Sequence, residues 1–371
     1  MRVTLERSNL LKALNHVQRV VERRNTIPIL SNVLLKADGA ALMLKATDLD
    51  LEVTEETAAS VGQGGATTVS AHMLYDIVRK LPDGSEVMMT VGDDNGMQLV
   101  SGRSQFRLQM LPETDFPDLT AGEFKHMFRM ACDDLKRLID RTQFAISTEE
   151  TRYYLNGIYF HGVDGDEGPL LRAVATDGHR LAQAQTAAPD GAEGLPGIIV
   201  PRKTVGELQK LLEAPDSFVT VEVSETKIRF TVDQVVLTSK LIDGTFPDYN
   251  RVIPTGNDKT LKLDRASFAA AVDRVSTIAS DRGRAVKLSL TDSQLVLSVN
   301  NPDSGSAEEE LAVNYGADSL DIGFNSRYLL DITNQLSADE TTFMLADPGS
   351  PTLIQEDSDA GALYVLMPMR V

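Results

Sequence analysis

Asp177, His179 and Arg180 lie within one short stretch, Ala175-Thr176-Asp177-Gly178-His179-Arg180-Leu181, after the apolar residues Leu170, Leu171, Ala173 and Val174. A carboxylate, an imidazole and a guanidinium this close could form an acid/base pair beside a cation that binds phosphate. The chemistry would suit an enzyme acting on a nucleotide or a phosphorylated substrate. The competing reading is a polar turn that closes a strand. Ala-Thr-Asp occurs once more, as Ala46-Thr47-Asp48, 129 residues earlier and again after an apolar run.

Other chemistry is scarce. The chain has no Gly-x-x-x-x-Gly-Lys-Ser/Thr loop and no Gly-x-Ser-x-Gly elbow. Gly62-x-Gly64-Gly65 is not a dinucleotide fingerprint. Asp164, Asp166 and Glu167 lack the later bidentate glutamate of a calcium loop. His16, His72, His126, His161 and His179 are scattered, without the spacing of metal ligands. Neither a cofactor nor a metal is expected.

The repeated triplet belongs to a larger repetition. Phe116-Pro117-Asp118-Leu119 returns as Phe246-Pro247-Asp248-Tyr249. A first amphipathic helix recurs with Leu10, Leu14 and Val17, then Leu135, Leu138 and Ile139, then Phe268, Val272 and Val275. A second recurs with Leu74, Ile77 and Val78, then Val205, Leu208 and Leu212, then Tyr328, Leu329 and Ile332. Between them the period changes to two: Val219, Val221 and Val223 answer Ile228, Phe230 and Val232 across a turn, and Val286, Leu288 and Leu290 answer Leu295, Leu297 and Val299. Three modules are therefore predicted, spanning 1–123, 124–255 and 256–371. The expected class is α+β, with antiparallel sheets and two helices per module on one face.

Composition fits. A chain of 371 residues with 42% hydrophobic content suits two or three domains. No window approaches a membrane span, and no signal peptide is visible after Met1-Arg2. The single Cys132 fits a reducing cytoplasm. The net charge is −18, yet helices read at 7–24, 71–81, 133–144, 202–212, 264–280 and 326–337 carry sixteen Lys and Arg against nine Asp and Glu, leaving −25 for the rest. Solvated helix faces often look like this. Combined with the triplication, it suggests one helix-covered surface that meets a polyanion. An acidic structural oligomer that never meets DNA remains the other alternative.

Several motifs, in order, resemble the bacterial DNA polymerase III beta subunit family of sliding clamps: Thr26-Ile27-Pro28-Ile29-Leu30, Arg152-Tyr153-Tyr154-Leu155-Asn156-Gly157, Ala175–Leu181, Val200-Pro201-Arg202-Lys203, Phe246-Pro247-Asp248-Tyr249 and the ending Tyr364-Val365-Leu366-Met367-Pro368-Met369-Arg370. The resemblance runs from end to end. It implies three clamp domains per chain and a head-to-tail homodimer, a ring lined by helices with its sheets outside. It further implies a non-catalytic processivity factor that encircles duplex DNA without reading sequence. Its partners would be the replicative polymerase catalytic subunit, the clamp loader and other clamp-motif proteins, in the cytoplasm and not at a membrane.

Site residues follow from the same resemblance. DNA contact is expected at Arg24, Arg152, Tyr153, Tyr154, Arg202 and Lys203. A peptide-docking pocket is expected from Leu155, Thr176, Gly178, His179, Arg180, Leu181, Pro247, Val252, Asn325, Tyr328, Leu353, Val365, Met367, Pro368, Met369 and Arg370, with His179 and Arg180 supplying donors to the peptide. The dimer seam is expected to pair Arg103, Gln105 and Phe106 with Ile278, Glu308, Glu309 and Glu310. His72 and Glu149 stand where relatives often carry a basic or neutral polar residue, and Thr277 where they often carry an aliphatic one.

Overall fold

The structure, a computed structural model, describes residues 1–92, 96–119, 122–213, 216–280, 283–356 and 359–371. Ala121, close to the predicted module boundary at 123/124, lies outside them. The chain divides into two compact units. One comprises Met1–Lys136, Pro189–Ala192 and Lys203–Leu241, the other Arg137–Ala188, Glu193–Arg202 and Ile242–Val371.

Among the described residues six α-helices occur: α1 (Arg7–Val17), α2 (Ala71–Val78), α3 (Cys132–Thr142), α4 (Arg202–Leu211), α5 (Arg265–Ser276) and α6 (Ser326–Thr333). All six were expected, but several end early. The apolar period that suggested a helix to residue 24 ends its helical backbone at Val17. Val20 and Val21 remain buried, yet they are held by long bonds of 3.4 and 3.3 Å to the carbonyls three residues back. Burial thus continues the pattern after the helix has tightened into turns. Leu81 repeats this after α2, where Pro82 stops the helix. Arg19, Arg23, Arg24, Arg79 and Lys80 consequently fall outside α1 and α2, so the helices carry a smaller positive surplus than their sequence pattern indicates.

The first unit is built on a 13-stranded antiparallel sheet. Four strands, His126–Ala131, Phe218–Val223, Lys227–Val232 and Val235–Lys240, join those of the first module through Leu51–Ala58. At that junction Val235 lies opposite Glu55, Leu237 opposite Val53 and Ser239 opposite Leu51. The period-two reading holds: Val219, Val221, Val223, Ile228, Phe230 and Val232 are buried, while Thr220, Glu222, Arg229 and Thr231 between them are only partly so. α1 and α2 pack side by side over this module, burying Leu10, Leu14, Val17, Leu74 and Val78.

The second unit holds a nine-stranded and a four-stranded antiparallel sheet. In the larger, Ile198–Pro201, Gly157–Gly165, Gly168–Thr176 and Arg180–Ala187 continue into Asp359–Leu366, Thr352–Glu356 and Glu340–Leu345. At the junction Arg180 lies opposite Leu366, Gln183 opposite Leu363 and Ala184 opposite Ala362. In the smaller, Gly305–Ala312 forms one edge beside Gln294–Asn301. α5 and α6 are neighbours, and Phe268 of α5 meets Phe343 edge-on at 5.4 Å. Among the described residues no helix is long and apolar enough to cross a membrane.

Gly157 is one position where only hydrogen fits. A Cβ there would stand 2.2 Å from the carbonyl oxygen of Val200 and 3.1 Å from Cγ2 of Ile199. Gly157→Ala should therefore force the strand Ile198–Pro201 aside and cost about 3 kcal/mol, the upper end for an overpacked interior. Urea denaturation of the variant checks this, and an unchanged midpoint refutes it.

Candidate functional site

The two Ala-Thr-Asp copies build the same turn. Thr47 Oγ1 donates to the Leu51 carbonyl, and Asp48 Oδ1 accepts from the amides of Asp50 and Leu51. Likewise Thr176 Oγ1 donates to the Arg180 carbonyl, and Asp177 Oδ1 accepts from the amides of His179 and Arg180. The third turn residue has positive φ in both, 78° at Leu49 and 88° at Gly178. Leucine tolerates this at a cost; glycine does not pay it. Asp177 is thus a turn-closing carboxylate, which removes the acid/base role considered for it.

Arg180 is buried and its donors are committed inward. Nε donates to Asp177 Oδ2 at 3.1 Å, Nη1 to Asp331 Oδ2 at 2.6 Å and Nη2 to the Phe144 carbonyl at 2.6 Å. Its guanidinium lies 4.1 Å from the Tyr328 ring centre and 5.0 Å from that of Phe144. Three of its five N–H donors are thus spent inside the protein, which narrows what Arg180 can offer a docked peptide. It also fixes Tyr328. Burial, then the nearby Asp177 carboxylate, pushes the Tyr328 hydroxyl above its ordinary pKa. His179 is exposed, and its ring lies 6.5 Å from that of Tyr328. Asp331 had escaped notice in the sequence. Its signal was its place on α6, one turn after Tyr328.

The expected pocket residues gather around this knot. Leu155, Leu181 and Val365 are buried in one apolar cluster with Val174, Ile199, Phe246 and Tyr249, and Leu353 packs against it. Thr176 and Gly178 belong to the turn. Pro247 and Val252 stand out from the segment that follows Phe246, with Val252 48% exposed. The side-chain oxygen of Asn325 is spent capping α6, accepting from the amides of Arg327 and Tyr328. The chain end closes the other side: the Met367 amide donates to the His179 carbonyl at 2.9 Å, and the Met369 amide to the Gly323 carbonyl at 2.8 Å. Val365 lies inside the last strand, while Pro368 and Arg370 follow it. That strand ends at Leu366 and lies inside the sheet. Met367 remains 40% exposed.

The residues expected at DNA fall into two groups. In the first unit Arg24 is exposed, whereas the Lys203 ammonium sits on Asp48 and within 3.4 Å of Glu22. His72 Nε2 donates to the Val21 carbonyl at 2.8 Å. In the second unit Arg152, Tyr153 and Tyr154 occupy a short 3₁₀ stretch, Glu150–Leu155, with Arg152 paired to Glu149 at 3.2 Å. Arg202, at the start of α4, is exposed. Of the seam residues, Arg103, Gln105 and Phe106 lie on the exposed part of strand Ser104–Leu111 or just before it. Glu308, Glu309 and Glu310 lie on the edge strand Gly305–Ala312, where Glu309 holds Arg274 through two hydrogen bonds of 3.0 and 2.5 Å. That pair draws the Glu309 carboxyl below its ordinary pKa. Ile278 follows α5 and is half-buried. Among the described residues no group of His, Cys, Asp and Glu could hold a metal.

Repeated modules of two helices and antiparallel sheets, joined edge to edge and bearing a buried apolar cluster beside the chain end, define a protein of the DNA-clamp class. Models of the DNA polymerase III beta subunit match the chain in order: its N-terminal domain over residues 1–120, its central domain over 129–248 and its C-terminal domain over 250–370. The beta sliding clamp of Caulobacter vibrioides is 52% identical over the full length of both chains, and that of Escherichia coli 40%. The sliding clamp of Bartonella birtlesii, crystallised with griselimycin, is 61% identical with a TM-score of 0.97 and complete coverage of both chains. That of Caulobacter crescentus, with polyethylene glycol at a proposed beta-motif tethering region, is 52% identical with a TM-score of 0.98, covering 100% of this chain and 99% of the other. The chain belongs to the DNA polymerase III beta subunit family, the beta sliding clamps. It is a non-catalytic processivity factor that works with DNA and polymerase, and the enzymatic alternative falls.

The Arg180 knot yields a measurable expectation. Asp331→Ala should cost about 2 kcal/mol, less than the ~3–5 kcal/mol of a fully buried pair, because Asp331 is partly open and two partners of Arg180 remain. Equal urea midpoints for variant and parent would show that the pair contributes nothing.

Proposed function

We propose that two copies of the chain close head to tail into a ring around duplex DNA, and that the recess of the second unit docks peptide segments of the replicative polymerase catalytic subunit, the clamp loader and other clamp-motif proteins in the cytoplasm. Domain boundaries are proposed at 123/124 and 255/256. The carrying observation is the pattern of strand edges. The fourth strand of module one pairs with the last strand of module two, and the fourth strand of module two with the last of module three. By the same rule the fourth strand of module three, Gly305–Ala312, pairs with the last strand of module one, Ser104–Leu111, of a second copy. Among the described residues no strand covers the outer edge of Gly305–Ala312 or that of residues 104–109.

The internal junctions also supply a register. Leu237 faces Val53 and Tyr364 faces Ala182; the equivalent residues are Phe106 and Ala307. In that register Gln105 meets Glu308 of the partner subunit, and Arg103 comes beside the partner's Glu310, opposite charges at the seam. Ile278 lies near by as the apolar contribution.

DNA contact is assigned to Arg24, Arg152, Tyr153, Tyr154, Arg202 and Lys203, which would touch phosphates and carry no sequence information. The recess is supported by its buried apolar floor, by the exposed Val252 and Met367 and by the polyethylene glycol held at a tethering region of one relative. Methionines suit a site that accepts varied segments.

Topology provides the decisive test. Clamps loaded on nicked circular DNA should stay bound through high salt and leave once the circle is cut. Equal loss from circular and linear DNA rejects the ring. The seam has its own test: a chain carrying Phe106→Cys and Ala307→Cys should cross-link into dimers on mild oxidation, since cross-strand neighbours fall within disulfide reach. Cross-linking no better than either single variant moves the register elsewhere.

A further inference from the structure

The wall of the recess made by Pro247 and Val252 has little backbone support of its own. Residues 249–252 form one 3₁₀ turn, and its flanking bonds, Arg251 amide to Asp248 carbonyl and Ile253 amide to Asn250 carbonyl, are both 3.4 Å long. Two buried side chains, Phe246 and Tyr249, hold the segment down. Both are gripped by groups from three neighbouring strands that no role described above uses.

Tyr159 stacks on Phe246 at 4.8 Å with rings nearly parallel, and on its other side meets His161 at 4.6 Å. The Tyr249 hydroxyl lies 3.0 Å from His161 Nε2 and 3.0 Å from Arg172 Nη1. Arg172 is itself locked by Gln185 Oε1, which accepts from Nε at 3.0 Å and from Nη2 at 2.8 Å. Arginine only donates, so the Tyr249 oxygen must accept from it. The Tyr249 hydrogen is free to be donated to His161 Nε2, a bond that exists only while the imidazole is neutral with Nε2 bare.

Resting on the docking reading above, we infer that Arg172 and His161 are positioning residues of the recess: by fixing the Tyr249 hydroxyl they set where Pro247 and Val252 stand, and docking weakens when His161 gains a proton.

Burial first, then the Arg172 charge, lowers the His161 pKa below its ordinary value, while a backbone contact with Gly162 works weakly the other way. The groups facing the ring are Arg172 from one neighbouring strand, Tyr249 from the 3₁₀ turn and Tyr159 from its own strand. A lowered pKa means that the ordered segment binds fewer protons than the released one. Its contribution is complete above the ordinary histidine value, about 6.5, and declines as the pH falls below it.

The test measures binding of a rhodamine-labelled pentapeptide ending in leucine and phenylalanine, chosen for the apolar floor, between pH 7.5 and 5.5. Tyr249→Phe should weaken binding about fivefold at pH 7.5, since one hydrogen bond to a charged donor and one to His161 are lost. His161→Gln keeps an acceptor but cannot titrate. It should bind within twofold of the parent at pH 7.5 and stay flat to pH 5.5, while the parent loses affinity. His179 is present in both chains, so the difference belongs to His161. Val252→Asp serves as the control for the recess. If it abolishes binding while Tyr249→Phe binds as the parent does and His161→Gln keeps the parental pH slope, the inference is overturned and the docking reading stands. If Val252→Asp binds normally, the docking reading fails and this inference with it. Should Tyr249→Phe not fold, judged by dimer mass and melting temperature, the pH slope of His161→Gln decides alone.

Discussion

The open sheet edge is the constraint on which this molecule depends. Backbone donors and acceptors along a strand must find partners, and an exposed edge invites another chain. Each module leaves one such edge at its fourth strand and another at its last. Within the chain these edges meet twice, Leu51–Ser239 and Arg180–Leu366 being the first pairs of the two junctions. The pairing has a direction, since fourth strand always takes last strand. A linear array built this way keeps one unused edge of each kind, and only closure removes both. The same backbone chemistry that joins the modules thus asks for a second copy.

The junctions also explain where the recess lies. Leu51 and Arg180 are the residues at which the two Thr-Asp turns hand the chain to the junction strands. Any side chain just before that point is presented beside a seam. In the first turn the Asp48 carboxylate meets Lys203. In the second, Gly178 and His179 lie open while Arg180 turns inward to Asp331, and the chain end lies on the His179 carbonyl. One turn motif therefore serves two purposes, because its hydrogen bonds need only Thr and Asp and leave the next three residues free to vary.

Much of this was legible before any coordinates. Repetition, two helices per module and the period-two hairpins are local patterns, and Val219 to Val232 read as they fold. What failed did so for definable reasons. Val20, Val21 and Leu81 carried helical spacing into turns, because periodicity records burial and not backbone conformation. The Asp177, His179 and Arg180 window looked like chemistry because a linear sequence shows neighbours and hides partners. Asp331 lies 151 residues from Arg180 and Tyr249 lies 77 from Arg172. No spacing rule reaches such pairs. The motif Phe246-Pro247-Asp248-Tyr249 was visible as a recurrence, but its alternation of buried anchors and exposed wall was not.

Charge adds a last consideration about a clamp that must move. The chain carries −18 overall. Two of the cations proposed to face DNA already have carboxylate partners, Lys203 with Asp48 and Glu22, and Arg152 with Glu149. A phosphate approaching either cation must compete with an oxygen already in place, so the net gain per contact is smaller than for a free lysine or arginine. Fewer counterions are then released for each contact made. Weak, exchangeable contact is what a topologically held protein can tolerate, because closure and not affinity keeps it on the duplex. Strong cationic pairing would instead pin it to successive phosphates and slow its passage. The carboxylates beside these cations thus act in the same direction as the acidic balance of the whole chain.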